Sequence, residues 1–102
     1  MKTIQAYEFK DLPKEIQLRN WEREIRSIVE MYLDFLNQDL VNNEITEEQY
    51  YEELGCSKYY AETTAWFVPS CYYEKHRAVI LREVKESLNS NLYDKRGNFI
   101  VA

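Results

Sequence analysis

Cys71 and His76, in "CYYEKH", bring a thiol and an imidazole close together in the sequence, and a thiolate activated by a neighbouring base is a nucleophile for acyl transfer. Their spacing argues against that chemistry. Five helical residues separate two side chains by about 140° around the axis, and no third group is at hand to orient the base. His76 is therefore read as a solvent-facing histidine. Cys56 and Cys71 are the two cysteines, with no second pair beside them, so neither a disulfide framework nor a zinc knuckle is implied and both are expected as reduced thiols. There is no "HExxH" and no glycine-rich phosphate loop. Carboxylates are abundant, but catalytic acids need burial that shifts their pKa. The reading is of a protein that is not an enzyme, with no cofactor and no metal.

The carboxylates are informative for their distribution. The chain carries 13 Lys and Arg against 18 Asp and Glu, a formal net charge of −5. Residues 27–57 contain no Lys or Arg, and they hold Glu30, Asp34, Asp39, Glu44, Glu47, Glu48, Glu52 and Glu53. The segments on either side are slightly basic, so the whole negative balance lies in this block. Glu30 and Asp34, and likewise Glu48 and Glu52, are like charges four apart on helices, a mildly destabilising spacing. Acids towards the end of a helix also oppose its dipole, at about 0.3–1 kcal/mol per exposed charge. A cluster that costs stability where it stands points to selection by function, although acidic faces also serve solubility.

The second unusual group is aromatic. The chain has 9 Tyr, 4 Phe and 2 Trp, and the stretch "SKYYAETTAWFVPSCYYEK" is crowded with them. Each doublet (Tyr50–Tyr51, Tyr59–Tyr60, Tyr72–Tyr73) is read as one ring inward and one outward, with Tyr59 or Tyr60 packing near Trp66. The remaining tyrosines are surplus at the surface, where such rings serve protein interfaces. Stacking on nucleic-acid bases would need a positive groove alongside. Near this stretch Lys58, Lys75 and Arg77 are largely offset by Glu62 and Glu74. A basic strip of Lys75, Arg77, Arg82 and Lys85 on the third expected helix is the weaker alternative for direct nucleic-acid binding.

These groups must be positioned by few elements, because 102 residues with 2 Gly and 2 Pro make a single domain, 1–102, with little linker. Alternation in "TIQAYEF" predicts a strand over 3–9. Asp11 is read as the N-cap of a long amphipathic helix, about 14–42, with Pro13 in its first turn. Its apolar face is Leu18, Trp21, Ile25, Ile28, Val29, Tyr32, Leu36 and Leu40, which leaves Glu30 and Asp34 facing solvent. Thr46 and Gln49 have capping-box spacing and Gly55 is a natural stop, which predicts a short second helix over 47–54. Tyr, Thr, Trp and Val enrichment predicts a strand over 58–68. Pro69 and Ser70 break it before a third helix, about 71–90, that buries Tyr73, Ile80, Leu81, Val84 and Leu88. "NLYDKRGNFIVA" predicts a hairpin over 91–101 that turns at Asp94 to Gly97. The fold class is α+β, with three helices packed on a small antiparallel sheet.

The N-terminal residues lack the apolar core of a secretory signal, and no window has the length of a membrane span. A cytoplasmic protein is expected. "AYEFKDLPKEIQ" leading into a long helix, and "LYDKRGNFIV" at the end, resemble a loose group of small proteins encoded by bacteriophages of Gram-positive hosts. In those a strand leads into an "eLsxexqxxa"-like helix start, and the chain closes on an aromatic–acidic–glycine hairpin. Here Pro13 and Ile16 replace the more usual small or charged residue and alanine. The resemblance is confined to the two ends and carries no functional residues. It implies a phage protein, of a class that includes anti-CRISPR inhibitors, which cover the nucleic-acid-binding surface of a nuclease.

The expectation is thus a non-enzymatic inhibitor that acts as a DNA mimic. Glu30, Asp34, Asp39, Glu44, Glu47, Glu48, Glu52 and Glu53, interleaved with Tyr50 and Tyr51, would dock on the basic nucleic-acid-binding surface of a host protein such as a CRISPR effector nuclease. Such surfaces are lined with Lys and Arg because duplex DNA carries about one charge per 1.7 Å. The alternative is a phage structural or regulatory adaptor that works through its aromatic surface. A homodimer is left open.

Overall fold

The computed structural model describes residues 5–100. Its elements in order are β1 (Tyr7–Glu8), a 3-10 turn (Phe9–Asp11), α1 (Lys14–Val41), α2 (Glu47–Leu54), α3 (Lys58–Thr63), a second 3-10 turn (Ala65–Phe67), α4 (Val68–Lys75), α5 (Arg77–Asn89) and β2 (Leu92–Tyr93). The chain is mostly helical with a small two-stranded antiparallel sheet, which is α+β. It divides into two compact units, one formed by the chain ends up to Arg26 and from Leu81, the other by Ser27–Ile80.

In the unit of the two chain ends, β1 pairs antiparallel with β2, Tyr7 opposite Tyr93 and Glu8 opposite Leu92. Residues 3 and 4 of the expected first strand, and residue 101 of the last, lie outside the described residues. Asp11 does not cap α1. It closes the first 3-10 turn, and the Pro13 carbonyl accepts the first helical bond, from the Gln17 N–H at 2.9 Å. The hairpin turns where expected. The Gly97 N–H donates to the Asp94 carbonyl, and Gly97 holds φ +85°. A Cβ at Gly97 would collide with Ile16. Asn20, itself buried, donates from Nδ2 to the Gly97 carbonyl at 2.9 Å. Around this contact Leu12, Val84, Leu88 and Tyr93 are buried, and the Tyr93 hydroxyl donates to the Leu88 carbonyl.

The unit of residues 27–80 is helical. Ile28, Val29 and Leu36 of α1 are buried, as are Leu54 of α2, Tyr72 of α4 and Ile80. The α2 helix has the expected capping box, with the Thr46 hydroxyl accepting from the Gln49 N–H and the Gln49 side chain accepting from the Thr46 N–H. It ends on Gly55 in the left-handed region.

Two expectations fail in this unit. Residues 58–68 are not a strand. The Ser57 hydroxyl accepts from the Tyr60 N–H and starts α3, while the Thr63 and Thr64 hydroxyls donate back to the Tyr59 and Tyr60 carbonyls. Local side-chain bonds compete with extended structure, and no strand of this unit is available to pair. The helix expected over 71–90 starts earlier, at Val68, because Pro69 sits in the first turn where a missing N–H costs nothing. That helix also divides at His76, whose backbone (φ −110°, ψ 21°) leaves the helical region. Tyr72, rather than Tyr73, is the buried member of its doublet.

Candidate functional site

The site builds up from α2, whose charges are set against its own dipole at one end only. Glu47 and Glu48 occupy the first turn, where the N-terminal end favours negative charge. Glu52 and Glu53 stand in the last turn, where it does not, and α2 has no basic residue there. The compensation arrives from α4. The Lys75 Nζ donates to the Glu52 carbonyl. The His76 Nε2 lies 2.8 Å from the Glu53 carbonyl and 3.3 Å from the Glu53 carboxylate. His76 is therefore half-buried rather than solvent-facing, with its ring 4.3 Å from that of Tyr72.

An open groove of about 590 Å³ lies on this unit, lined by Tyr32, Phe35, Leu36 and Asp39 of α1, Ile45, Gln49, Glu52 and Glu53 from α2 and its approach, and Tyr72. Its lining mixes aromatic and aliphatic side chains with three carboxylates, Asp39, Glu52 and Glu53. Phe35 is exposed there.

The remaining acids are placed differently. Glu30, Asp34, Glu44, Glu47 and Glu48 are exposed, and Asp39 is half-buried. On α1, Asp34 and Asp39 are five residues apart, so they point about 140° away from each other. Glu30 and Asp34 share the face turned from the groove. The acids of α1 thus lie on two faces, with Asp39 on the groove beside Glu52 and Glu53 and with Glu30 and Asp34 away from it. Glu47 is paired with Lys58 at 2.7 Å, and both side chains are exposed. Among the described residues, no Lys or Arg forms an ion pair with Glu30, Asp34, Asp39, Glu44, Glu48 or Glu52.

Tyr50 and Tyr51 are both half-buried. Their rings meet edge-on at 5.0 Å, and the Tyr50 hydroxyl donates to Asn37 Oδ1 at 2.6 Å. Burial, then Tyr51 and Cys56, push the Tyr50 phenol up. The Tyr50 hydroxyl thereby ties α2 to α1. Surplus aromatic surface lies elsewhere, on α3 and the turn after it. Trp66 is 80% exposed and Tyr59 77% exposed, with Tyr60 and Phe67 beside them. The Phe67 ring meets Tyr60 at 6.1 Å and Trp66 at 5.5 Å, both edge-on. The expectation that Tyr59 or Tyr60 turns inward fails with the strand it assumed.

Cys56 and Cys71 are free and half-buried, with the Cys71 thiol beside Cys56. Burial first, then that thiol, push Cys56 up. Lys75, the first residue of the basic strip, is committed to α2. Among the described residues no cluster of three or more His, Cys, Asp or Glu could hold a metal ion. No described helix is long and apolar enough to cross a membrane. Comparison with protein-family models, curated proteins and solved structures finds no match to this chain.

The groove floor escaped sequence reasoning because Tyr32 and Leu36 read as ordinary core positions. One signal was present: Phe35 falls beside the expected apolar face, out of register with it. The pairing of Cys56 with Cys71 had no signal, since spacing along the chain says nothing about two helices that come together.

Proposed function

We propose that this protein is a non-enzymatic binding protein whose 27–80 unit docks its acidic groove on the basic nucleic-acid-binding surface of another protein and blocks it. The observation that carries this reading is the groove itself, where Asp39, Glu52 and Glu53 share an open lining with the exposed Phe35. Carboxylates steer a basic partner and set its register, and the apolar floor supplies desolvated contact area. The resemblance of the chain ends to small phage proteins supports a host-defence target, such as a CRISPR effector nuclease.

The test is charge reversal on the groove, Asp39→Lys with Glu52→Lys, against Glu30→Lys with Asp34→Lys on the far face. A host protein captured by the wild type should be displaced from its nucleic acid. The groove variant should lose that inhibition while its circular dichroism is unchanged, with association slowed roughly tenfold or more. Full inhibition by the folded groove variant sinks the proposal. Loss only with the far-face variant moves the contact surface to Glu30 and Asp34.

A second reading, the adaptor, is favoured by the exposed cluster of Tyr59, Tyr60, Trp66 and Phe67. It would bind through apolar area, with affinity nearly independent of salt.

A further inference from the structure

Cys56 follows directly on Gly55, the left-handed residue that ends α2, and Cys71 lies in α4. The backbones meet here, since a Cβ on Gly55 would come within 3.1 Å of the Cys71 carbonyl and 3.3 Å of the Lys75 Cβ. Lys75 and His76 hold the approach in place by bonding the last carbonyls of α2. The Cys71 thiol stands beside Cys56, and both residues keep part of their surface open to solvent. A disulfide needs Cβ atoms about 3.5–4.5 Å apart, and the close approach of the Gly55 backbone to the Cys71 carbonyl puts the two cysteines on adjoining segments.

We propose that Cys56 and Cys71 are a thiol–disulfide site at which a peroxide forms an intramolecular bridge that staples the end of α2 to α4. One thiolate attacks a peroxide oxygen. An S–O bond forms, the O–O bond breaks, and the released hydroxide takes up a proton to leave as water. The second thiol, as its thiolate, attacks the sulfenic sulfur, the S–S bond forms, and the S–O bond breaks with loss of a second water. The two thiols give up two electrons in all, and the peroxide is reduced to two waters. The helices already meet at this point, so the bridge chiefly restricts the unfolded chain and raises the thermal midpoint. The site stands whether or not the acidic groove binds a partner.

The experiment treats the folded protein with hydrogen peroxide in slight molar excess, then with an alkylating reagent, and maps peptides without reductant. Cleavage after Lys58 separates the two cysteines, so a bridge joins two peptides that are otherwise apart. The expected product is a monomer with neither thiol alkylated, the two peptides linked, a higher Tm, and full reversal by dithiothreitol. Bridging should be faster in the folded protein than in urea, and Cys56→Ser should leave Cys71 unbridged. Because the folded-versus-urea comparison uses the wild type, it decides the matter even if that variant folds poorly. The proposal is overturned if both thiols of the folded protein remain alkylatable. It is equally overturned if they oxidise to sulfinic acids without joining, if bridges form between chains, or if bridging is no faster in the folded state.

Discussion

Asp94 shows how much one side chain can organise. Its carboxylate accepts from the Arg96 N–H at 2.8 Å and the Asn98 N–H at 3.0 Å, closing the hairpin turn on itself. The Asn98 N–H bond first, opposed by desolvation and reinforced by Arg96 and the Asn98 side chain, holds the carboxyl below its ordinary value of 3.8. A depressed folded-state pKa contributes stability that is present above the unfolded value and lost as pH falls through the folded one. Asp94→Ala should therefore lower the thermal midpoint at neutral pH. Its gap to the wild type should close as pH drops below the ordinary aspartate range, as followed by circular dichroism melts. A gap that widened on acidification would contradict the role given to Asp94.

At the scale of elements, α2 is the part most fully legible in advance. Thr46, Gln49 and Gly55 act within a few residues of one another, and short-range chemistry is visible in a linear string. Thr46→Ala removes the hydroxyl that accepts from Gln49, and it should cost about 0.5–2 kcal/mol by urea titration. The long helix was legible for the same reason, through its repeating apolar face. The stretch 58–68 was not. Its Tyr, Thr, Trp and Val content fits a pleated surface, but a strand exists only beside another strand, and composition cannot report that partner. Ser57 and the two threonines tipped the balance locally. At the site, the exposure of Glu30 and Asp34 and their separation from Asp39 could be read from a helical wheel, but the meeting of Asp39 with Glu52 and Glu53 on one groove could not. That meeting depends on which side of α1 receives α2.

For the molecule as a whole, two surfaces compete for the role of contact face, and their physics differs. An acidic groove loses affinity as salt screens it, whereas an aromatic patch scarcely responds. Trp66→Ala separates them. Trp66 makes little of the core, so stability should change by no more than about 0.5 kcal/mol. On the groove reading, the complex should also keep both its affinity and its salt dependence, measured by calorimetry across a salt series. A large loss of affinity without any salt dependence would instead establish the adaptor.

The way α2 ends has a consequence for the order of events during synthesis. An eight-residue helix is marginal by itself, and the side chains that meet its last carbonyls are Lys75 and His76. A ribosome that has released residue 55 but not residue 76 holds a segment with its N-terminal cap in place and its far end still hydrated. That stretch should settle only once the later chain emerges, so nascent chains truncated ahead of Lys75 should be cut readily by protease near Leu54, and chains extended past His76 should resist.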